Sequence, residues 1–258
     1  MLQDWHIVIL RPEHQAQGLV KCLQADKAHT SVVPLIDIIP LNYDSTQLAT
    51  WRQSLQTADY LIVTSANAVH CAPAALMSAI TARTFILTMG QATTNALQTK
   101  KPSLKVNFTA PMGSTSESVL TEDFLQPHHI AHKKVVILAG LDGRTVLADT
   151  LSARGAKIQW IKVYKQEKSL HSLTPLIHLK SKTKVCFIAT SSRIVENLLA
   201  LASDYDKPWL LKQALIVVSD RIYQQAKGLG FERIGVANGA SDGAIRDACN
   251  AFLVNGKL

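Results

Sequence analysis

No Cys-x-x-Cys pair and no Gly-x-Gly-x-x-Gly occurs in this sequence. The first absence removes the common zinc and dithiol spacings, the second the dinucleotide fingerprint. Gly140-Leu141-Asp142-Gly143 therefore reads as a turn. The four cysteines, Cys22, Cys71, Cys186 and Cys249, lie far apart, and Cys22 and Cys249 fall in apolar helical stripes. Buried free thiols in a reducing cytoplasm are expected. The start, Met1-Leu2-Gln3-Asp4-Trp5-His6, lacks a basic region, and Ile7 to Leu10 is too short for a signal core. No apolar run approaches a membrane span, so no membrane partner is expected. Aromatics are only 6% of the chain, and lysines and arginines are scattered. A nucleic-acid surface needs basic blocks with interleaved aromatics, so no nucleic-acid partner is expected either. His128, His129 and His132 look metal-like, but they fall in a polar stretch with no evident carboxylate or cysteine beside them. A solvated loop is expected there, with no metal and no cofactor.

What the chain has is apolar content and positive charge. Of its 258 residues 47% are hydrophobic and 18% charged, with a net charge of +8 and a pI near 9.4. That suits a globular protein of one large domain or two small ones. The charge favours an acidic partner such as a polyanionic small molecule, its other reading being a solvated basic surface.

The central stretch is Asp59-Tyr60-Leu61-Ile62-Val63-Thr64-Ser65-Ala66-Asn67-Ala68-Val69. Leu61 to Val63 is long enough for a buried strand and too short for a helix. Thr64-Ser65 suits a helix cap, and Val69 opens a helical apolar pattern. Phe187 to Val195 repeats the arrangement around Thr190-Ser191-Ser192. Other parallels are Leu10-Arg11-Pro12 with Leu138-Ala139-Gly140, Phe85 to Leu87 with Leu215 to Val217, and Ser116-Glu117 with Ser241-Asp242. Every offset is near half the chain, so two similar α/β units of alternating strands and helices are expected. Parallel sheets bind ligands beyond the carboxyl ends of their strands, where Thr64-Ser65, Gly90 to Thr93, Ser114 to Glu117, Thr190-Ser191 and Ser219 to Arg221 all fall. A cleft between the units would collect them. Pro73 should kink or restart the helix after Val69. A helix is expected across Val119, Leu120 and Phe124, a polar loop over residues 126–134, and a linker plus weak helix over 167–184. Gly155 should close the helix that starts near Val146.

These residues resemble the uroporphyrinogen-III synthase family. The likeness lies in Arg11-Pro12, the stretch from Leu61 to Val69, Met89-Gly90-Gln91-Ala92-Thr93, Ser116-Glu117, Leu138 to Gly140, Leu151 to Gly155 with Val163-Tyr164, Thr190-Ser191 and Ala240-Ser241. It implies two similar parallel-sheet, flavodoxin-like α/β domains joined by a two-stranded β ribbon. Domain one would be residues 1–36 and 168–258, domain two 44–157, and the ribbon 37–43 and 158–167. One departure is Ser219-Asp220-Arg221-Ile222, where the family usually has a Gly-Pro-Thr-Thr-like turn. Arg221 would there supply an anion contact in place of backbone N–H groups.

The resemblance implies the substrate hydroxymethylbilane, a polycarboxylate linear tetrapyrrole. It loses its terminal hydroxyl and closes with inversion of the last pyrrole ring, through a spiro intermediate. Because the free bilane closes unaided to the uninverted isomer, the catalyst's task is positional. Tyr164, at the position of the family's ribbon tyrosine, would hydrogen-bond the departing hydroxyl as a weak general acid; its other reading is ribbon packing. Arg11, Ser65, Asn67, Gly90, Thr93, Ser114, Thr190, Ser191 and Ser192 would hold substrate carboxylates. For Ser65 and Thr93 the competing reading is plain N-capping, for Arg11 a surface arginine. The family implies a cytoplasmic monomer, with transient contact to the preceding pathway enzyme. A two-lobed, non-catalytic binding protein for an anionic small molecule is the alternative, and a degenerate synthase a third reading.

Overall fold

The computed structural model describes residues 2–169, 178–181 and 184–254. The strands, in chain order, are β1 (His6–Ile9), β2 (His29–Val32), β3 (Ile36–Pro40), β4 (Tyr60–Val63), β5 (Phe85–Thr88), β6 (Phe108–Thr109), β7 (Lys134–Gly140), β8 (Lys157–Lys168), β9 (Val185–Ala189), β10 (Ala214–Val217) and β11 (Arg233–Val236). They belong to two compact units, Met1–Asp37 with Glu167–Leu258, and Ile38–Gln166.

In the first unit the sheet order is β11-β10-β9-β1-β2, and all its neighbours are parallel. In the second it is β3-β8-β7-β4-β5-β6, parallel from β8 to β6. The places that β1, β2, β9, β10 and β11 take in one sheet are those that β7, β8, β4, β5 and β6 take in the other. The duplication is thus rotated along the chain, and Leu10-Arg11-Pro12 and Leu138-Ala139-Gly140 both follow or end a central strand.

Continuous apolar runs form these strands because helices cover both faces of a parallel sheet. Leu61, Ile62 and Val63 are fully buried. Leu61 and Val63 enter one apolar layer with Val69, Leu76 and Leu97. Ile62 enters the opposite layer with Leu87, Ile137 and Leu147. Each such side chain contributes about 1.5–3 kcal/mol by leaving water.

Pro73 does restart its helix, giving Ala66–Cys71 and Ala74–Ala79. Two adjacent lysines take up the carbonyls this leaves. Lys100 Nζ donates to Val69, His70 and Ala72 carbonyls at 2.7, 3.0 and 2.6 Å. Lys101 Nζ donates to those of Met77, Ser78 and Ile80 at 3.0, 3.5 and 2.8 Å. An ammonium has three protons, and each of these faces three acceptors. Gly155, at φ +87°, closes the helix Val146–Ala153.

Several local expectations need correction. The helix expected across Val119 to Phe124 is two pieces, Ser116–Val119 and a 3-10 turn Asp123–Leu125. Arg154 Nη1 caps carbonyls of both, Leu120 at 2.9 Å and Leu125 at 2.8 Å, so the chain need not complete a helix. Residues 126–134 are not all loop. Pro127–Ile130 is a helical turn anchored by the buried Ile130. Between residues 167 and 184, β8 runs on to Lys168 and His178–Ser181 is a 3-10 turn. The rest of that expected linker and helix lies outside the described residues. All four cysteines are free, and Cys186 and Cys249 are buried. Cys22 is only half-buried, because its helix turns it to the rim of the core. Among the described residues no helix is long and apolar enough to cross a membrane.

Candidate functional site

The carboxyl edge of the second unit gathers most of the expected side chains. Ser65 follows β4 and caps the next helix, its Oγ accepting from the Ala68 N–H at 3.1 Å. The same Oγ lies 3.0 Å from the Tyr164 hydroxyl. Since Ser65 already accepts one proton, its own proton can go to the phenol oxygen, leaving the phenol O–H to donate elsewhere. Tyr164 is 6% exposed and sits in β8 opposite Gly140, where the β7–β8 register is irregular. Its ring lies on Gly140. A Cβ there would come within 2.7 Å of Tyr164 Cζ, so only glycine lets the ring reach this place. The Leu141 N–H donates to the Tyr164 carbonyl at 2.7 Å, which fixes the Gly140–Arg144 turn beside it. Tyr164 therefore packs and also carries a hydroxyl to the sheet edge.

Gly90, after β5, is the N-cap residue of the helix Gln91–Lys100, at φ +144°. No side chain caps that helix, so its first N–H groups remain at the edge for a ligand. Thr93 is not a cap, so the capping reading that competed with its carboxylate role does not hold. It is the third helical residue, and it is buried. Asn67 lies in the first turn after Ser65, half-buried. Ser114 lies in the loop after β6 but does not cap. Thr115 does, in a capping box with Ser118.

At the carboxyl edge of the first unit, Ser191 caps the helix Ser192–Leu201, and Ser219 caps Asp220–Gly228. Arg221 Nη1 donates to Ser192 Oγ at 3.0 Å, tying the two turns together. Thr190 is half-buried at the end of β9. Arg11 is not a surface arginine. It is 5% exposed and ion-paired with Asp242, and its Nε has no hydrogen-bond partner. Gly18 makes room for this pair, because a Cβ there would overlap Asp242 Oδ2 at 2.1 Å.

A family model described as uroporphyrinogen-III synthase HemD matches residues 17–246. This chain belongs to the uroporphyrinogen-III synthase family. It is 29% identical to the uroporphyrinogen-III synthase of Salmonella typhimurium over 246 residues, covering 93% of this chain and 97% of that one. Against the synthase of Escherichia coli it is also 29% identical, over 245 residues, with the same coverage. Among solved structures, a mutant uroporphyrinogen III synthase from the extremely thermophilic bacterium Thermus thermophilus aligns at a TM-score of 0.62 with 15% identity, over 97% of this chain and 99% of that one. The Helicobacter pylori enzyme aligns at 0.57 with 16% identity, over 96% and 99%. These two likenesses concern the fold. Membership in an enzyme family does not favour the non-catalytic binding protein.

Within this family member, sequence reasoning missed an ion pair. Arg144, in the turn after β7, donates to both carboxylate oxygens of Glu117, with Nη1 to Oε2 at 3.2 Å. The Arg144 guanidinium and hydrogen bonds from the backbone hold the Glu117 carboxyl down to about 2. Its topological counterpart in the other unit is Arg11 with Asp242, since β7 and β1 take the same place in their sheets. One pair is buried. The other is exposed on both sides, Arg144 at 61% and Glu117 at 52%. The signal was there in the parallel between Ser116-Glu117 and Ser241-Asp242, had each acid been matched to the arginine after a central strand. Sequence reasoning also placed no carboxylate beside the histidines. The turn at Gln126-Pro127 in fact brings Asp123 back against His128 and His129.

Proposed function

We propose that the chain cyclises hydroxymethylbilane to uroporphyrinogen III, losing the terminal hydroxyl and inverting the last pyrrole ring through a spiro intermediate. Loss of hydroxide from an electron-rich pyrrole is easy, so the protein contributes mainly position. The observation that carries this reading is the Ser65–Tyr164 pair. Ser65, held by the Ala68 N–H, turns its proton to the phenol oxygen, and Tyr164 donates to the departing hydroxyl as a weak general acid.

Substrate carboxylates fall to the strand-end turns of both sheets. Ser65, Asn67, Gly90, Thr93 and Ser114 serve one, together with the uncapped N–H groups after Gly90. Thr190, Ser191, Ser192 and Arg221 serve the other, with the buried Arg11 supplying positive charge beneath that edge. Arg144 is an added carboxylate contact. It is exposed, and Glu117 stays ionised and orients it. The atypical Ser219 turn keeps an anion contact through Arg221.

We read both sheets as flavodoxin-like, the order β2-β1-β9-β10-β11 supporting this for the first. Residues 37–43 and 158–167 form the ribbon, domain one being 1–36 and 168–258 and domain two 44–157. The pairing of β3 with β8 and the unit limits at Asp37 and Gln166 support this division. The enzyme works as a cytoplasmic monomer in tetrapyrrole biosynthesis, receiving its unstable substrate by transient contact with the preceding enzyme.

The test supplies enzymatically generated hydroxymethylbilane and separates the type III and type I products. Type III in excess is expected from the protein as it stands, and Arg144→Ala should raise KM several-fold at unchanged kcat. Only type I product would overturn the reading.

A further inference from the structure

We infer that Asp123, His128 and His129 form a binding site for a divalent transition metal of the zinc, cobalt and nickel class. His128 Nε2 lies 3.3 Å from Asp123 Oδ1, and His129 Nε2 lies 3.0 Å from Asp123 Oδ2. All three donor groups lie within 4.8 Å of one another. Zinc binds imidazole nitrogen and carboxylate oxygen at about 2.0–2.2 Å. Two donors on one such ion are then about 3.0 Å apart at an octahedral angle and about 3.4 Å apart at a tetrahedral one, by the same bond lengths. The nitrogen-to-oxygen separations here already match. Small side-chain rotations would bring one ion into reach of all three residues, with water completing its shell.

Stability does not explain why these side chains converge. They are exposed, from 48% to 78%. A pair between solvated groups is worth about 0–1 kcal/mol, and each side chain loses freedom in making it. The backbone that presents them is, in contrast, firmly held. Phe124 packs on Phe85 and Phe108, with ring centroids 4.9 and 5.0 Å away. Leu125 and Ile130 are fully buried. The Gln126 side chain donates to the Leu120 and Glu122 carbonyls at 3.0 and 3.1 Å, and Arg154 holds the Leu125 carbonyl. Three donors on two braced turns make a preorganised site.

The donor set selects the ion. Two imidazoles and one carboxylate suit zinc, cobalt or nickel and disfavour magnesium, which takes an oxygen shell. The place in the fold also matters. Pro127–Ile130 leads into Lys134, the first residue of β7, so the site lies at the amino end of the sheet. Ser65 and Tyr164 stand at the carboxyl end. Metal binding should brace the Asp123–Ile130 segment and leave turnover alone.

The test uses the full, tag-free chain after chelation, titrated with Zn²⁺ by calorimetry and with Co²⁺ by visible absorption. One equivalent should bind with micromolar affinity, raising Tm, while Mg²⁺ should not compete. His129→Ala and Asp123→Asn should each weaken binding at least tenfold, and His132→Ala should not. Product formation should be the same in all of them, with or without metal. No saturable equivalent, or an affinity indifferent to His129→Ala, overturns the inference. Neither result bears on the reading of Tyr164, which is tested by the product isomer.

Discussion

Gly140→Ala asks whether the position of the Tyr164 ring matters apart from its presence. The new Cβ would stand 2.7 Å from Tyr164 Cζ, 2.9 Å from Cε2 and 3.0 Å from the hydroxyl oxygen. Carbon atoms rest at about 3.5–4.0 Å, so the ring must retreat by about 1 Å or the end of β7 must move. Either shift stretches the 3.0 Å contact with Ser65 beyond hydrogen-bond range. Overpacking of this kind costs about 1–3 kcal/mol. At about 2–4 °C per kcal/mol for a chain of this size, Tm should fall by roughly 2–12 °C. The catalytic cost is separate, because a misplacement of about 1 Å can lower a rate about 100-fold. Tyr164→Phe is the control. It keeps the ring and removes the phenol, so it should lower kcat at least about tenfold, the value of about one hydrogen bond in the transition state, with little change in Tm. Both variants are assayed with enzymatically generated hydroxymethylbilane, scoring type III against type I product, and melted by circular dichroism. The reasoning fails if Gly140→Ala melts early yet keeps full kcat and isomer ratio, or if Tyr164→Phe turns over normally. Tyr164 would then be a packing residue only.

Three further outcomes can be checked on the purified chain. Asp26 accepts two hydrogen bonds from Arg246, at 2.7 and 2.6 Å, and one from Asn250, and these hold its carboxyl at about 2, below its ordinary 3.8. A depressed carboxyl stabilises above its unfolded value and stops doing so as pH falls through the folded one. Urea unfolding should therefore lose about 1–2 kcal/mol between about pH 4 and 2, discounted for the half-exposed Arg246, and Asp26→Asn should lack that loss. Lys100→Met and Lys101→Met should each cost about 1–2 kcal/mol in the same assay, since each strips three helix-end carbonyls of their donor; wild-type stability in both would refute the capping role. Burial, and then the neighbouring Cys249, push the Cys186 thiol well up. Alkylation of native protein should spare Cys186 and Cys249 until urea is added, while Cys22 and Cys71 react slowly. Early labelling of Cys186 would contradict its burial.

The sequence by itself determined the elements whose signal is local. Strand cores such as Leu61 to Val63 and Phe187 to Ala189 were legible because a strand buried on both faces needs an unbroken apolar run. The Ser65 and Ser191 caps were legible because capping is settled within three residues, and the break at Pro73 because a missing N–H acts locally. The duplication too could be read, because matching strand–turn–helix patterns recur at a common offset. Where capping residues crowd together, local reasoning slipped by a residue or more. Thr115 caps the helix that begins at Ser116, and Gly90 rather than Thr93 is the N-cap residue of the helix after β5.

Only tertiary structure decided what long-range pairing controls. Arg11 and Asp242 are 231 residues apart, and the guanidinium, read either as a substrate contact or as a surface charge, is buried against its partner, with Gly18 leaving space for the pair. Tyr164 reaches Ser65, 99 residues away, through a register irregularity and a glycine, neither of which carries a local pattern. The rotated order of the repeat, which puts β1 and β2 where β7 and β8 stand in the other sheet, follows from which strands pair, and pairing depends on packing across the whole unit. Local chemistry writes the pieces of this chain, and burial decides which of its charges and hydroxyls meet.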